Sequence, residues 1–439
     1  MATAAIDSST SPYLLVRRLV ELSGRIQSSL SKAPPEPSSP VSVKSMITSL
    51  LSLPDPGGSA SRHQILSLVK HFTLAVSILV SSRSSEHNLL NWIPQNLADV
   101  AGTCFSDVAM AYVQCFGNEN SKKLGELGLD SITLGNAERL TIELWMEVFP
   151  ELKDQIKESS IDKEDDITAA SAAVPVGYAV VAAYQFRWFA TQVDYPCIGK
   201  LCKLVIPCGL TALDHWSPEV KRQGVISLTH LGKRVTAAEL GFYPDAILDA
   251  CCHNLVAADE IWDTVVEMSA VFVSSTQQNN PRSPWFEKLL NEMLSHLERQ
   301  PRNKERRCAW LKFIEPLLNA AGLVVLAHFR RIFPLLFLWM HADDDETVLL
   351  VLERTYTILR LTWIRNTPFV GRLVDELVAL YKEAALRIGR EEIRSHILKL
   401  FVLLQQSRGS QLEASWNKHR TDPDISDLIS SFSDMSITA

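Results

Sequence analysis

The chain has 439 residues, of which 46% are hydrophobic and 21% are charged, the balance of a folded protein that can bury a large core. Its formal net charge of −7 argues against a general nucleic-acid binder, because neutralising phosphates requires a basic surface. The sequence contains no phosphate-binding loop, dinucleotide fingerprint, HExxH, GxSxG or paired CxxC motif, which weighs against the common enzyme classes.

The first sixty residues predict one helix followed by loops. Five apolar residues follow helical spacing: Leu15, Leu19, Leu22, Ile26 and Leu30. Proline and glycine clusters at 33–40 and 53–60 cannot continue a helix. The start, MATAAIDSSTS, is poor in acidic residues, as organelle transit peptides are. We expect a cytoplasmic or nuclear protein, and an organelle location stays open as the alternative.

Residues 61–195 predict irregular helical pairs. The predicted helices are Arg62 to Ser82, His87 to Phe116, Ala137 to Ser159 and Ala169 to Thr191. Polar stretches such as GNENSKK and KESSIDKEDD are expected to join them. The most apolar runs are too rich in alanine, or carry Arg330 and Arg331 at their middle, so we expect no membrane span.

Residues 196–409 show a repeat. Second helices of a pair are predicted to begin near five residues: Pro218, Asp259, Asn303, Asp345 and Glu391. First helices are marked by prolines: Pro196, Pro244, Pro284 and Pro368. Both series have a period of about 40–47 residues, which is typical of HEAT and armadillo units. The sequence therefore predicts an all-α, right-handed solenoid of such hairpins, with about four to five repeats in this range.

The polar residues 410–439 are predicted to form a mobile tail with one short amphipathic segment. Ile425, Leu428, Ile429 and Phe432 would lie on one face of a helical turn or two. This segment either folds back to cover the last repeat or docks on a partner.

Eight cysteines and one polar turn are the candidates for a catalytic or metal-binding site. No secretory signal precedes the cysteines, so reduced core thiols are expected. Cys251, Cys252 and His253 are neighbours on a helix and diverge by about 100°, so they cannot share one metal ion. Asp214, His215 and Ser217 have the residue types of a catalytic triad but lie in one tight turn, where capping is their expected use. We therefore predict no catalytic residue, no metal site and no cofactor.

A cationic cluster near residue 300 is the predicted partner site. Its members are Arg299, Arg302, Lys304, Arg306 and Arg307. A solvated loop and a docking patch for an acidic partner are both compatible with it. The acidic run from Asp343 to Glu346, one repeat later, is expected to serve the N-terminus of the next helix.

The hairpin at 204–235 has a buried stripe and a marked turn. The apolar stripe is formed by Val220, Gly224, Leu228, Leu231 and Val235. Ser217 is the predicted N-cap and Pro218 the first helical residue. Lys221, Arg222, Lys233 and Arg234 are expected on the solvated side.

This hairpin resembles the second Tel-interacting protein, a Tti-type subunit of the TTT co-chaperone complex. The residues that carry the resemblance are Pro207, Leu213, Asp214, Ser217, Pro218, Lys221, Gly224, Leu228, His230 and Leu231. His215 departs from the acidic pair of that family. The resemblance implies a non-enzymatic scaffold that joins larger helical-repeat proteins and supports maturation of phosphatidylinositol-3-kinase-related kinases.

The alternative is an armadillo-type transport or trafficking adaptor that binds peptides in a concave groove. Against the import-receptor version, the sequence has no regular ladder of Trp and Asn. Neither function requires a small-molecule substrate.

Overall fold

The computed structural model describes residues 12–54, 61–126, 128–129, 134–159, 174–365, 367–386, 389–430 and 432. Within these ranges all regular secondary structure is helical, and there is no strand. The α-helices are α1 (Pro12–Ser31), α2 (Val43–Leu51), α3 (Arg62–Ser81), α4 (Gln95–Glu126), α5 (Asn136–Glu158), α6 (Val176–Thr191), α7 (Cys197–Lys200), α8 (Cys202–Asp214), α9 (Pro218–Gly232), α10 (Ala237–Leu240), α11 (Pro244–Ala257), α12 (Trp262–Thr276), α13 (Pro284–Arg299), α14 (Lys304–Phe313), α15 (Glu315–Ala321), α16 (Phe329–Met340), α17 (Asp345–Leu361), α18 (Val370–Ala385) and α19 (Glu391–Trp416).

The chain divides into two units, Met1–Tyr243 and Pro244–Ala439. In the first unit α3, α6 and α9 pack in sequence as one layer, and α4, α5 and α8 pack as the other. In the second unit α11, α13, α16 and α18 form one layer, and α12, α14, α17 and α19 form the other. Each unit is thus a two-layer stack of helical pairs, and the predicted all-α solenoid is confirmed for the part of the chain described.

The predicted repeat starts agree with the helices. α9, α14, α17 and α19 begin at or one residue after the predicted positions, and α12 begins at Trp262 after a 3₁₀ turn at Asp259–Ile261. Local capping explains several of these starts. The side chains of Ser283, Asn303 and Asp344 each accept a hydrogen bond from a backbone N–H in the first turn of the following helix, which satisfies a donor that the helix itself cannot.

The α8–α9 hairpin is closely packed. A Cβ at Gly209 would lie 2.7 Å from the Leu228 side chain, and one at Gly224 would lie 2.8 Å from Ala212. Glycine at these two positions therefore allows α8 and α9 to approach closely. All residues of the predicted stripe are buried, as expected for the contact face of such a pair.

The predicted solvated side of α9 needs correction at Lys221, which is 9% exposed. α9 packs against both α6 and α8, so its buried surface is wider than one stripe.

Several predicted boundaries in the first unit differ from the structure. α4 begins at Gln95 rather than His87, and it continues through the backbone of GNENSKK after a kink at Phe116. The interrupted geometry at Phe116, with φ −124° and ψ 16°, lets the helix change direction without ending. Much of KESSIDKEDD lies outside the described residues.

The C-terminal region also differs from the predicted mobile tail. α19 continues past Gly409 to Trp416, with a kink at Arg408. Ile425 and Leu428 are buried, and the ring centroid of Phe432 lies 5.9 Å from that of Phe401 and 5.6 Å from that of Trp416. The amphipathic segment thus covers the last helix, which is the first of its two expected uses.

Among the described residues, two helical stretches are long and apolar enough to cross a membrane by length and composition, Arg62–Ser84 and Glu315–Met340. In the first, 72% of the apolar window is buried within the protein, and in the second, 50%. Core helices of helical-repeat proteins have the same composition, so this feature is weak evidence for a membrane span.

Candidate partner-binding surface

The predicted triad residues form a structural turn. Ser217 occupies the N-cap position of α9, but its hydroxyl makes no capping hydrogen bond. Instead its backbone N–H donates to His215 Nδ1 at 3.0 Å, and His215 Nε2 lies 3.1 Å from Ser159 Oγ. Burial, and then the charge of Lys221, lower the pKa of His215 to about 4. The imidazole is therefore neutral at pH 7 and holds the turn against the end of α5.

The cysteines are packing residues. All eight are free thiols, and every one except Cys115 is buried. Burial raises the pKa of Cys251 to about 12 and that of Cys252 to about 11. At neutral pH these sulfurs stay protonated, which makes them poor nucleophiles.

The predicted cationic cluster divides into structural and exposed members. Arg306 is 8% exposed; its Nη2 lies 2.8 Å from Asp259 Oδ1, and its guanidinium lies 5.6 Å from the centre of the Trp262 ring. Arg306 Nη1 also lies 3.2 Å from His296 Nδ1. Burial, and then the charge of Arg306, lower the pKa of His296. This favours the neutral imidazole, whose Nδ1 can accept a hydrogen bond from Arg306.

Arg307 is the second structural member. Its Nη2 donates to Asp344 Oδ2 at 2.6 Å and its Nε to Thr347 Oγ1 at 3.1 Å. Both partners belong to the start of α17, one repeat later. Arg307 therefore joins α14 to α17 through two of its nitrogens, and its Nη1 donates to the backbone oxygen of Arg302 at 3.5 Å.

Asp344 accepts the hydrogen bonds at the centre of this contact between α14 and α17. Burial alone would raise its pKa, but the hydrogen bonds from Thr347, Arg307 and Lys304 outweigh it and lower the pKa to about 2. Lys304 Nζ lies 3.3 Å from Asp344 Oδ1, although the Lys304 side chain remains 53% exposed. Arg299 and Arg302 are exposed. The predicted docking role of the cluster stays a prediction, and only these exposed members are available to a partner.

One group of residue types that bind metals lies beside this contact. Among the described residues, the ligand atoms of Cys308, Asp344 and Glu346 come within 4.8 Å of one another. Lys304, Arg307 and Lys312 already contact the two carboxylates; for example, Lys312 Nζ lies 2.7 Å from Glu346 Oε1. A cation entering this site would have to displace them, so we assign the group to charge pairing between repeats.

A different surface combines exposed apolar side chains with cations that have no partner. We call it the α17–α19 surface; it consists of Tyr356, Arg360, Trp363, Ile364, Arg365, His396 and Lys399. Tyr356 is 38% exposed, and Trp363 and Ile364 are each 59% exposed. In the part of the chain that the structure describes, the side chains of Arg360, Arg365 and Lys399 form no ion pair or hydrogen bond.

A cleft of about 250 Å³ lies between α15, α17 and α19 at one part of this surface. Trp363, Ile364 and Arg365 do not line it but lie on the turn that follows Arg360. Tyr356 and Arg360 line it from α17, and His396 and Lys399 line it from α19. The acidic residues of the cleft, Glu315 and Glu353, are both paired with the buried Arg354. The cleft therefore presents net positive charge beside an aromatic ring.

The turn that carries Trp363 and Ile364 is held from below by Arg408. Arg408 is 4% exposed and donates from Nη2 to the backbone oxygens of Thr362 at 2.9 Å and of Arg365 at 3.2 Å. Desolvation lowers the pKa of Arg408, and its Nη1 has no hydrogen-bond partner among the described residues. The turn is thus fixed by side-chain contacts, and its two large apolar residues are presented to solvent.

Sequence reasoning missed this surface. The local signal was present, since RLTWIR places three apolar residues between two arginines. The same residue types occur throughout the repeats, however, and only the packing of α17 against α19 shows which of them remain free.

No family model matches the chain. Among solved structures, a chain from a structure of Kap95p binding to RanGDP has a TM-score of 0.47 at 12% identity, covering 94% of this chain and 54% of that one. An engineered protein has a TM-score of 0.43 at 11% identity, covering 90% and 98%. These distant likenesses add nothing to the helix packing described above.

A protein of Arabidopsis thaliana, "Uncharacterized protein At2g39910", is 52% identical over 422 residues. The match covers 93% of this chain and 92% of that protein. Because this relative carries no functional description, the resemblance of the α8–α9 hairpin to the second Tel-interacting protein remains a hypothesis. The chain belongs to the family of the Arabidopsis thaliana protein At2g39910.

Proposed function

We propose that this protein is a non-enzymatic scaffold that binds an acidic segment of a partner protein on the α17–α19 surface. The observation that carries the proposal is the combination of three cations that have no partner among the described residues with exposed Tyr356, Trp363 and Ile364. Trp, Tyr and Arg are the residues that most often dominate binding energy at protein interfaces.

The charge of the cleft selects the chemistry of the partner. Arg360 and Lys399 offer charge-assisted hydrogen bonds to carboxylates, while Trp363 and Ile364 offer apolar area. A segment in which acidic residues flank a bulky apolar residue would satisfy both. Several other cations of the second unit pair with a carboxylate one repeat away, as Arg390 does with Asp345 at 2.5 Å, and these cannot serve a partner without weakening the stack.

A random peptide display library panned on the full chain tests this proposal. We expect enrichment of peptides with Asp or Glu around an aromatic or branched apolar residue, and binding that weakens as salt rises. The double variant Arg360→Glu with Lys399→Glu should lose the enriched peptides, whereas Arg420→Glu, on an exposed residue beyond α19, should keep them. Enrichment of basic peptides, or acidic peptides that bind both variants equally, would refute the proposed site.

The finer hypothesis is that the partners are larger helical-repeat proteins and that the clients are phosphatidylinositol-3-kinase-related kinases, in the cytoplasm or nucleus. Its support is the resemblance carried by residues of α8 and α9, such as Ser217, Gly224 and Leu228. Depleting the protein should then lower the kinase proteins without lowering their messages. Constant kinase levels, with no helical-repeat partner copurified, would refute the finer hypothesis and leave the peptide-binding proposal to be judged by its own test.

A further inference from the structure

Ser-Pro and Thr-Pro dipeptides occur at four places in the described part of the chain, and three of them are buried at helix starts. Ser217, Ser283 and Thr367 are 7%, 5% and 3% exposed. Ser283 Oγ accepts from the N–H of Trp285, and Thr367 Oγ1 accepts from that of Phe369. An enzyme could reach these hydroxyls only after local unfolding. A fifth such dipeptide begins at Ser11, which lies outside the described residues.

The fourth, Ser39, has the opposite environment. It lies in the loop between α1 and α2, and Ser38, Ser39 and Pro40 are all exposed. Pro40 restricts the backbone of Ser39 to extended conformations. The Ser39 hydroxyl is used only to accept one hydrogen bond, from the N–H of Val41 at 3.3 Å, and its own proton has no acceptor among the described residues.

The loop around Ser39 also has room for an added group. Ser39 lines a cleft of about 390 Å³ whose far wall is the start of α6. The Val41 side chain packs closely on α6 at Gly177, where an added Cβ would lie 2.8 Å from it. This contact holds the loop beside the helix. The first turn of α6 has no acidic residue. Glu36, three residues before Ser39, is occupied in capping α2 through the N–H of Val43 at 2.5 Å.

We propose that Ser39 is a phosphorylation site for a proline-directed serine/threonine protein kinase, with ATP as the phosphoryl donor. Ser39 Oγ forms a bond to the γ-phosphorus, the bond between that phosphorus and the bridging oxygen of the β-phosphate breaks, ADP leaves, and the hydroxyl proton passes to the base of the kinase. The product carries close to two additional negative charges at neutral pH on the loop that packs against the start of α6.

The test is a site-resolved phosphorylation of the folded full-length chain. A Ser11→Ala variant, which removes the one serine before a proline that lies outside the described residues, is incubated with ATP and a mitogen-activated protein kinase, and the products are mapped by mass spectrometry. We expect phosphate on Ser39 to exceed that on Ser217, Ser283 and Thr367 by about tenfold or more, because those three require local opening. Adding Ser39→Ala should remove the main product.

Short peptides around the four sites serve as matched controls. The peptide of residues 34–45 should be a substrate, and the other three should be labelled more readily than the same sites in the folded chain. The proposal is overturned if neither the peptide nor the folded chain is phosphorylated at Ser39. It is equally overturned if the peptide is labelled while folded Ser39 is not, or if folded Ser217 is labelled as readily as Ser39.

Discussion

Two basic turns of the second unit use their charges in different ways. At the start of α14, Arg306 and Arg307 lie within ion-pair distance of Asp259 and Asp344, carboxylates on neighbouring pairs of helices. At the end of α17, Arg360 and Arg365 have no such partner in the described chain. The difference shows that a carboxylate one repeat away, rather than the local density of arginine, determines whether a basic turn holds the stack together or stays available for binding.

The largest expected effect comes from reversing a charge in the basic turn at the start of α14. Arg307→Glu places a carboxylate beside Asp344 and should lower the free energy of unfolding by about 3–5 kcal/mol, as breaking a largely buried pair does. Urea unfolding measures this loss. Arg302→Glu is the matched control on the same turn, and because Arg302 is exposed it should change stability by less than about 0.5 kcal/mol. Equal losses in the two variants would disprove the structural role of Arg307.

The next effect concerns the apolar part of the α17–α19 surface. Trp363→Ala should weaken binding of an enriched acidic peptide by about 2 kcal/mol or more, roughly 30-fold in Kd. Stability should change little, because the side chain is already 59% exposed. Isothermal titration calorimetry measures the affinity. Leu386→Ala is the control, since Leu386 is 86% exposed outside this surface and should not affect Kd; a loss as large as that of Trp363→Ala would remove the specificity of the site.

A smaller effect is expected from the arginine beneath that turn. Arg408→Met keeps the length of the side chain but removes the side-chain donor to the carbonyl oxygen of Arg365 and one of the two donors to that of Thr362, which keeps the N–H of Arg365, a cost of about 1–3 kcal/mol. Relief of the buried charge offsets part of this cost, so the net change should lie at the lower end. Hydrogen exchange at residues 362–365 should become faster, and Arg420→Met should leave it unchanged. Unaltered exchange in Arg408→Met would show that the turn is held by other contacts.

An effect of comparable size is a pH dependence at the contact between α14 and α17. The folded pKa of Asp344 is about 2, below the ordinary value of 3.8 for the unfolded chain. This carboxylate therefore adds stability that is fully present above pH 3.8 and is lost as the pH falls towards 2. After allowance for solvent screening the contribution is about 1–2 kcal/mol. Asp344→Asn should flatten the acid limb of the unfolding curve by this amount; an identical limb in the variant would contradict the assignment.

Much of the fold could be predicted from local sequence. Polar caps such as Ser283 and Asn303 result from short-range hydrogen bonding, and the repeat of helical pairs results from the spacing of apolar residues. Both are visible in the sequence. The kinks at Phe116 and Arg408 were missed. They carry no proline, and at Arg408 the backbone deviates where the side chain reaches the carbonyl oxygens of the preceding pair of helices.

The candidate site could be predicted less well, for a physical reason. Arg306 and Arg360 are the same residue type at similar distances from a helix end, and the sequence does not show which carboxylates lie across the groove to the next repeat. The sequence also predicts Lys221 on the solvated side of its helix. It is buried instead, because a helix in a two-layer stack has neighbours on more than one side. Side-chain partners between repeats therefore require the structure.

The most direct test of the central claim compares two charge reversals in parallel. For Arg307→Glu and for the pair Arg360→Glu with Lys399→Glu, the urea midpoint and the Kd for one enriched acidic peptide are measured under the same conditions. For Arg307→Glu the structure predicts a lower urea midpoint and, at urea concentrations below the unfolding transition, retained binding of the peptide. It predicts an unchanged midpoint with lost binding for the other variant. The opposite pattern, with binding lost in Arg307→Glu and the midpoint lowered only in the α17–α19 variant, would contradict the account.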